Sequence, residues 1–211
     1  MVNTLFNSIL GGIMISIGGC VYLSAGNPII GSFLFSVGLL VILALNLKLY
    51  TGAIGYAGES VSIVELFAIY AGNTIGTAIV GSIVYEYIPK IHIAAEILFQ
   101  DKLHLLLNTS FHGTTFFLAV FCGILMYVAV DTWKNCKNDF ARVIVPIFAV
   151  STFILCRFEH VIADLFYIFA AKGFSLDIFY NKFLFIDIVL IGNTVGSIMF
   201  HRLRKLWLTT E

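Results

Sequence analysis

The stretch Cys156–Tyr167, CRFEHVIADLFY, decides the fold class, because it places charged and titratable side chains inside an otherwise apolar segment. The side chains in question are those of Arg157, Glu159, His160 and Asp164. Such groups are costly at membrane depth, and they usually face a water-filled cavity or the interior of a helix bundle. We therefore expect a functional site here. We expect the rest of the chain to hold this stretch, and a second polar stretch, Leu47–Gly52, at the middle of a membrane.

The composition indicates a polytopic membrane protein. Of the 211 residues, 60% are hydrophobic and only 11% are charged, whereas soluble domains carry about 25% charged residues. So few charges cannot cover a water-exposed surface, which disfavours a large soluble domain. The formal net charge is zero, so no nucleic acid partner is expected. No cofactor is expected either. Asp164 follows His160 at helical spacing, but no second histidine lies nearby, so no metal is expected.

Six apolar segments are candidate membrane spans, because a spanning helix needs about 20 predominantly apolar residues. They are Leu5–Ala25, Ile29–Asn46, Val61–Val84, Phe111–Val130, Val143–Ala171 and Phe183–Phe200. Lys48 and a glycine-rich run interrupt the second segment, and the stretch around His160 interrupts the fifth. The sequence therefore predicts an all-α membrane protein with six spans, of which the second and fifth are broken. The stretch Glu86–His104 is predicted to be the most polar loop.

An internal repeat indicates two related halves within a single domain, 1–211. Gly72–Thr77 recurs as Gly192–Ser197, and the breaks at Thr51 and His160 have nearly the same offset. We expect halves of about 1–88 and 105–211, with three spans each. An odd number of spans makes the second half enter from the opposite side, which predicts an inverted repeat with broken helices facing each other at the midplane.

The distribution of basic residues favours cytoplasmic N- and C-termini, by a small margin. With that orientation the cytoplasmic side carries six lysines and arginines against four on the other side. The six are Lys134, Lys137, Arg142, Arg202, Arg204 and Lys205. The four are Lys90, Lys102, Lys172 and Lys182.

His160 is the sharpest candidate for a functional residue. An unperturbed imidazole has a pKa of about 6.5, so it changes charge near physiological pH and can attract an anion or give it a proton. The alternative is a neutral histidine that makes two hydrogen bonds in a helix bundle. Thr51 offers a hydroxyl at the other break, either to an anion or to His160. Its alternative is a bond to its own backbone. Asn73 and Asn193 are expected to satisfy backbone groups that the breaks leave free.

The sequence alone does not decide the roles of four charged residues near the breaks. Glu159 either orients His160 or pairs with Arg157 or Lys48. Asp164 is expected to cap a helix or bond between helices. Lys48 and Arg157 are expensive at membrane depth unless they are paired or in water. They either line an anion-attracting vestibule or neutralise Glu159 and Asp164.

At these motifs the sequence resembles the formate/nitrite transporter family, whose members are pentameric anion channels with an aquaporin-like protomer. The matching motifs are Phe158–Ala163, Leu49–Gly52, Gly192-Asn193 and Gly11–Gly18. The resemblance covers nearly the whole chain, and it implies a homopentamer in the cell (inner) membrane.

The resemblance also implies residue roles. His160 would be the central pore histidine, with Thr51 and Asn193 as polar companions. Leu39 and Phe153 would form two apolar constrictions, with Phe35 one turn from the first. The implied mechanism is that an anion enters a vestibule, is neutralised by a proton near the constriction and crosses as the neutral weak acid. A bare charge in a dry apolar ring costs far more than a neutral acid.

The chain also departs from the family pattern. It begins at the first span, so we expect the family's amphipathic N-terminal helix to be missing. Gly123 stands where some members carry a pore asparagine, and no lysine occupies the vestibule position near Leu107. We expect Lys48 and Arg157 to replace that missing vestibule cation.

The sequence thus predicts a membrane channel or proton-linked transporter for a small monovalent anion, with formate first. Nitrite, hydrosulfide, acetate and lactate follow. An intramembrane enzyme that uses Glu159, His160 and Asp164 is disfavoured, because no nucleophile elbow or paired-histidine motif is present. A non-conducting membrane subunit is the third class.

Overall fold

The computed structural model describes residues 2–108, 113–172 and 179–208, and this part of the chain is helical, with one isolated β-bridge in a turn. The helices, in chain order, are α1 Val2–Ser24, α2 Pro28–Ala44, α3 Tyr50–Ala53, α4 Ile63–Tyr87, α5 Pro89–Asn108, α6 Gly113–Asn135, α7 Asp139–Leu155, α8 Val161–Lys172 and α9 Phe179–Leu208. A single 3-10 turn, Ile54–Tyr56, follows α3.

Four helices are long and apolar enough to cross a membrane, judged by length and composition. They are Val2–Ser24, Ile63–Tyr87, Gly113–Asn135 and Asn181–Trp207. These four correspond to the first, third, fourth and sixth apolar segments of the sequence. The prediction of an all-helical protein is therefore confirmed for the described residues.

The remaining two apolar segments each contain a non-helical stretch. Residues 45–49 separate α2 from α3, and residues 156–160 separate α7 from α8. The same turn ends both α2 and α7. Asn46 and Arg157 adopt left-handed backbone conformations with φ of 52° and 54°. The amide of the following residue returns to a carbonyl five residues back, at 2.8 Å from Leu47 to Ile42 and from Phe158 to Phe153.

Two helix pairs, α1 with α4 and α6 with α9, make the most extensive contacts among the described helices. Glycines allow the backbones to approach. A Cβ atom on Gly12 would lie 2.2 Å from the carbonyl oxygen of Asn73, and one on Gly123 would lie 2.3 Å from that of Asn193. Because real Cβ contacts are never so short, any side chain here would push the helices apart. The two asparagines are therefore held tightly against α1 and α6.

The predicted polar loop at Glu86–His104 is wrong, because most of this stretch forms helix α5. Pro89 is the first helical residue, a position where its missing N–H costs nothing. One face of the helix is apolar at helical spacing and is buried. The residues of this face are Ile91, Ala95, Phe99, Leu103 and Leu106. Helix α5 packs on α8, and this contact brings Lys102 to the stretch that follows α7.

Candidate functional site

Asn73, in α4, holds the first break in place with its side chain. Its Oδ1 accepts a hydrogen bond from the amide of Tyr50 at 2.9 Å. Its Nδ2 donates to the carbonyl oxygens of Ser8 at 2.7 Å and Lys48 at 2.9 Å. The backbone groups of Lys48 and Tyr50 lie where the helix is interrupted and lack helical partners, whereas Ser8 lies within α1. The amide of Asn73 replaces the missing helical bonds in a fully buried position.

Asn193, in α9, makes the same set of bonds at the second break. Its Oδ1 accepts from the amide of Val161 at 2.9 Å, and its Nδ2 donates to the carbonyls of Ala119 and Glu159, both at 2.8 Å. The prediction that both asparagines satisfy freed backbone groups is confirmed. Both amide hydrogens of Asn193 are used in this way, so they are not available to a solute.

His160 and Thr51 meet between the two breaks. The Nε2 atom of His160 lies 2.8 Å from the hydroxyl oxygen of Thr51, and both residues are buried. The other ring nitrogen, Nδ1, accepts a hydrogen bond from the amide of Ala163 at 3.1 Å. Because Nδ1 is an acceptor, it carries no proton in this arrangement. The neutral ring then donates its Nε2 hydrogen to Thr51, which leaves the threonine hydroxyl hydrogen free to point elsewhere.

Apolar rings cover His160 on one side. The ring of Phe153 stacks on the imidazole with 5.4 Å between centroids, and the ring of Phe35 meets Phe153 edge to face at 5.8 Å. Phe35, Leu39 and Phe153 are all almost completely buried in one core. The resemblance suggested these three residues as constrictions, and the structure brings two of them into contact beside His160.

A cavity of about 360 Å³ opens next to this group, and we call it the Lys102 cavity. Its polar lining includes Lys102, Arg157, Glu159, His160 and Asp164. The ammonium group of Lys102 forms an ion pair with Glu159 and lies 3.1 Å from Asp164 Oδ1. All three side chains are largely buried, with exposed fractions of 11% for Lys102, 2% for Glu159 and 1% for Asp164. A buried lysine thus bridges the two carboxylates directly beside the histidine.

The suggested pairing of Lys48 and Arg157 with Glu159 and Asp164 is wrong. Lys48 lies 3.6 Å from Glu65, and Arg157 lies 3.9 Å from Asp101 with 75% of its side chain exposed. The physical reason is the position of α5, which carries Lys102 to the acidic pair. Lys102 is therefore the cation in this cavity that the sequence seemed to lack, although Arg157 also lines the cavity at its exposed side.

A second cavity, of about 300 Å³, lies at the other break and is called the Lys48 cavity here. Lys48, Leu49 and Gly52 line it, together with Lys134 and Arg142. Leu49 and Gly52 lie within two residues of Thr51, whereas His160 lines the Lys102 cavity. The contact between Thr51 and His160 therefore lies between the two cavities.

The two breaks correspond residue by residue, but Thr51 and His160, which have only nearly the same offset, are not equivalent positions within them. The shared contacts pair Lys48 with Glu159 and Tyr50 with Val161. Counted from these pairs, the counterpart of His160 is Leu49, and Thr51 lies two residues further along. The site is thus asymmetric, with an imidazole at one break and an isobutyl group at the other.

A separate polar cluster ties the end of α9 to the turn after α3. Lys205 and His201 hydrogen-bond Glu59 at 2.9 and 3.2 Å, and Arg204 forms an ion pair with Asp131. The hydrogen bonds from Lys205 and His201 lower the pKa of Glu59 from its ordinary value of 4.5. This cluster is distinct from the residues around His160.

Lys102 is the site residue that sequence reasoning missed. The signal was present, since Pro89 is followed by 23 residues without glycine or proline, with apolar residues at helical spacing. What the sequence could not supply was the docking of α5 on α8, which depends on contacts between distant parts of the chain.

Comparisons with known proteins show which family and which fold the chain shares. The family described as "Formate/nitrite transporter" matches residues 1–207. A search of curated protein sequences found no match. A solved structure titled "Pentameric formate channel with formate bound" is similar with a TM-score of 0.79 and 22% identity, covering 100% of this chain and 98% of that chain. Another, titled "FNT family ion channel", has a TM-score of 0.79 and 17% identity, covering 98% and 90%.

At these identities the solved structures show a shared fold, while the family match covers nearly the full sequence. Together with the four long apolar helices, the match identifies an integral membrane protein of a transporter family. The resemblance noted in the sequence is confirmed, and the chain belongs to the formate/nitrite transporter family.

Proposed function

We propose that the protein is a membrane pore through which formate, or a similar small monovalent anion, crosses as its neutral acid. The observation that carries this proposal is the contact between Thr51 and His160, with Phe153 stacked on the imidazole. Two hydrogen-bonding side chains meet there beside an apolar ring, between two cavities lined by charged residues. This arrangement fits a small solute that must shed its charge but still needs a polar contact.

The proposed pathway runs from the Lys102 cavity, past Phe153 and His160, to the Lys48 cavity. Lys102 favours approach of an anion, although the two carboxylates beside it oppose a stable anionic complex. Before the apolar rings the anion takes up a proton from hydronium ions of the bulk solution, which become water, because a bare charge in the rings costs far more than a neutral acid. The hydroxyl hydrogen of Thr51 then donates to the carbonyl oxygen of the acid.

This mechanism gives His160 the role of a hydrogen-bond donor that positions Thr51. A cationic imidazole would have to give up the bond from the amide of Ala163, because both ring nitrogens would then be donors. Asn193 positions the break that contains Glu159 and His160. Glu159 fixes Lys102. Leu39, Phe35 and Phe153 form the dry part of the path.

The architecture that we propose has six spans in two inverted halves of about 1–88 and 105–211, with the interrupted pairs α2–α3 and α7–α8 as the second and fifth spans. The matched bonds of Asn73 and Asn193 support two related halves. We propose a homopentamer in the cell (inner) membrane with both termini in the cytoplasm. The fold shared with a pentameric formate channel supports that assembly.

We propose a channel or proton-linked transporter and no enzymatic activity. Formate is the first substrate, because it is small and its acid is neutral. Nitrite, hydrosulfide, acetate and lactate are the alternatives. A comparative uptake assay in liposomes tests the proposal, with formate, nitrite, hydrosulfide and lactate at two pH values. We expect formate uptake above that of empty liposomes and faster at the lower pH. Uptake equal to that of empty liposomes for every solute would contradict the proposed function.

A further inference from the structure

The Lys48 cavity carries an excess of positive charge. Three cations line it, and none of the described residues that line it is a carboxylate. The three cations are Lys48, Lys134 and Arg142. Arg142 is fixed in place, because its Nε donates to the carbonyl of Trp133 at 2.9 Å and its guanidinium lies over the indole ring.

The carboxylates around this cavity balance only part of the charge. Glu65 lies 3.6 Å from Lys48, and Asp139 lies 3.5 Å from Arg142 with 95% of its side chain exposed. The ammonium group of Lys134 lies 4.3 Å from the centre of the Tyr56 ring. Among the described residues, no carboxylate lies within ion-pair distance of Lys134. Its charge is repelled by that of Lys48 and attracted by that of Asp131, which is itself paired with Arg204. A cavity with this surplus is stabilised by an anion.

The Lys102 cavity has the opposite balance. Its lining contains two cations, Lys102 and Arg157, and three carboxylates, those of Asp101, Glu159 and Asp164. An anion with more than one negative charge is therefore favoured at the Lys48 cavity and disfavoured at the Lys102 cavity. The difference in charge gives the two ends of the pathway different ligand preferences.

We propose that the Lys48 cavity is a binding site for a small multivalent oxyanion of the phosphate class, and that such an ion blocks the pathway from this side. The block rests on the proposed function, whereas the binding does not. One cation is enough to attract a monovalent solute, but three cations around one cavity match an ion that carries two charges. Leu49 lines the same cavity two residues before Thr51, so the bound ion stands directly in the path.

Calorimetric titration of the detergent-solubilised protein with inorganic phosphate tests the binding. The variants Lys134→Gln and Lys48→Gln each remove one cation from the cavity, and we expect each to weaken phosphate binding by about tenfold. Lys137→Gln is the matched control, because it removes an exposed charge close to Lys134 in the sequence and outside the lining. No measurable binding, or equal weakening by Lys137→Gln, would overturn the proposal.

Formate flux in liposomes with phosphate on one side tests the block. At constant ionic strength, replacing chloride by phosphate on the side of the Lys48 cavity is expected to slow formate flux several-fold. Phosphate on the side of the Lys102 cavity is expected to have no effect. Equal inhibition from both sides, or none from either in a protein that transports formate, would overturn the block. A protein that binds phosphate but carries no formate would instead count against the proposed function alone.

Discussion

His160 and Thr51 lie 2.8 Å apart, measured from Nε2 to Oγ1, although 109 residues separate them in the chain. This contact joins the two non-helical stretches that interrupt the apolar segments. Because Nδ1 of His160 accepts a bond from the amide of Ala163, the direction of the contact is defined, with the imidazole as donor and the hydroxyl as acceptor. The hydroxyl hydrogen of Thr51 is thereby not used by His160, and the proposed function depends on this hydrogen.

Replacing Thr51 by valine keeps the shape of the side chain but removes the hydroxyl group. We expect formate flux to fall by about tenfold, because the acid loses the hydrogen bond from the Thr51 hydroxyl, which is worth about 0.5–1.5 kcal/mol. Thr51→Ser is the matched control and is expected to keep most of the flux. Flux in liposomes, normalised to the amount of reconstituted protein, measures both. Equal flux in the valine and serine variants would show that the Thr51 hydroxyl has no role in transport.

Replacing Lys102 by methionine leaves Glu159 and Asp164 buried without their shared cation. Removing one partner of a buried ion pair costs about 3–5 kcal/mol, so we expect a marked fall in the thermal unfolding temperature in detergent. A triple variant that adds Glu159→Gln and Asp164→Asn removes the unpaired charges and is expected to recover most of the stability. If Lys102→Met alone unfolded at the same temperature as the wild type, the ion pairs of Lys102 would contribute nothing to stability.

Replacing Arg157 by asparagine tests whether this arginine has a role in the cavity. Its side chain is 75% exposed, and its weak pair with Asp101 contributes about 0–1 kcal/mol. The left-handed backbone at this position costs about 1–2 kcal/mol for an ordinary residue, and asparagine tolerates it better. We therefore expect unchanged formate flux and equal or slightly higher stability. A large loss of flux would contradict this expectation and show that Arg157 is needed for transport.

Replacing Gly123 by alanine places a Cβ atom against the backbone of Asn193, with a carbonyl oxygen at 2.3 Å. Helices α6 and α9 must then separate, and overpacking of this kind costs about 1–3 kcal/mol. Gly26→Ala is the control, because a Cβ there meets no atom within 4 Å. Thermal unfolding in detergent is expected to show a loss for the first variant and none for the second. Similar unfolding temperatures would contradict the tight packing of Asn193.

The sequence predicted those features that depend on local pattern. Runs of apolar residues gave the long helices, and the recurrence of Gly72–Thr77 at Gly192–Ser197 pointed to two asparagines with the same task. His160 stood out because a titratable ring is rare in an apolar segment. Thr51 stood out because it supplies a hydroxyl group at the other break.

The features that depend on docking between distant elements could not be predicted. Lys102 reaches Glu159 and Asp164 only because α5 packs on α8. The turns at Asn46 and Arg157 are equivalent, and at the same spacing Leu49 rather than Thr51 is the counterpart of His160. Backbone turns of this kind leave no distinct mark in the sequence when the residue is an arginine.

The most direct measurement is formate flux through His160→Asn and His160→Phe in liposomes at two pH values, with assembly checked by size-exclusion chromatography. The account predicts that both variants assemble as the wild type does but lose at least about nine-tenths of the flux, because neither side chain reaches both Thr51 and the amide of Ala163. Wild-type flux with the wild-type dependence on pH in both variants would contradict the account.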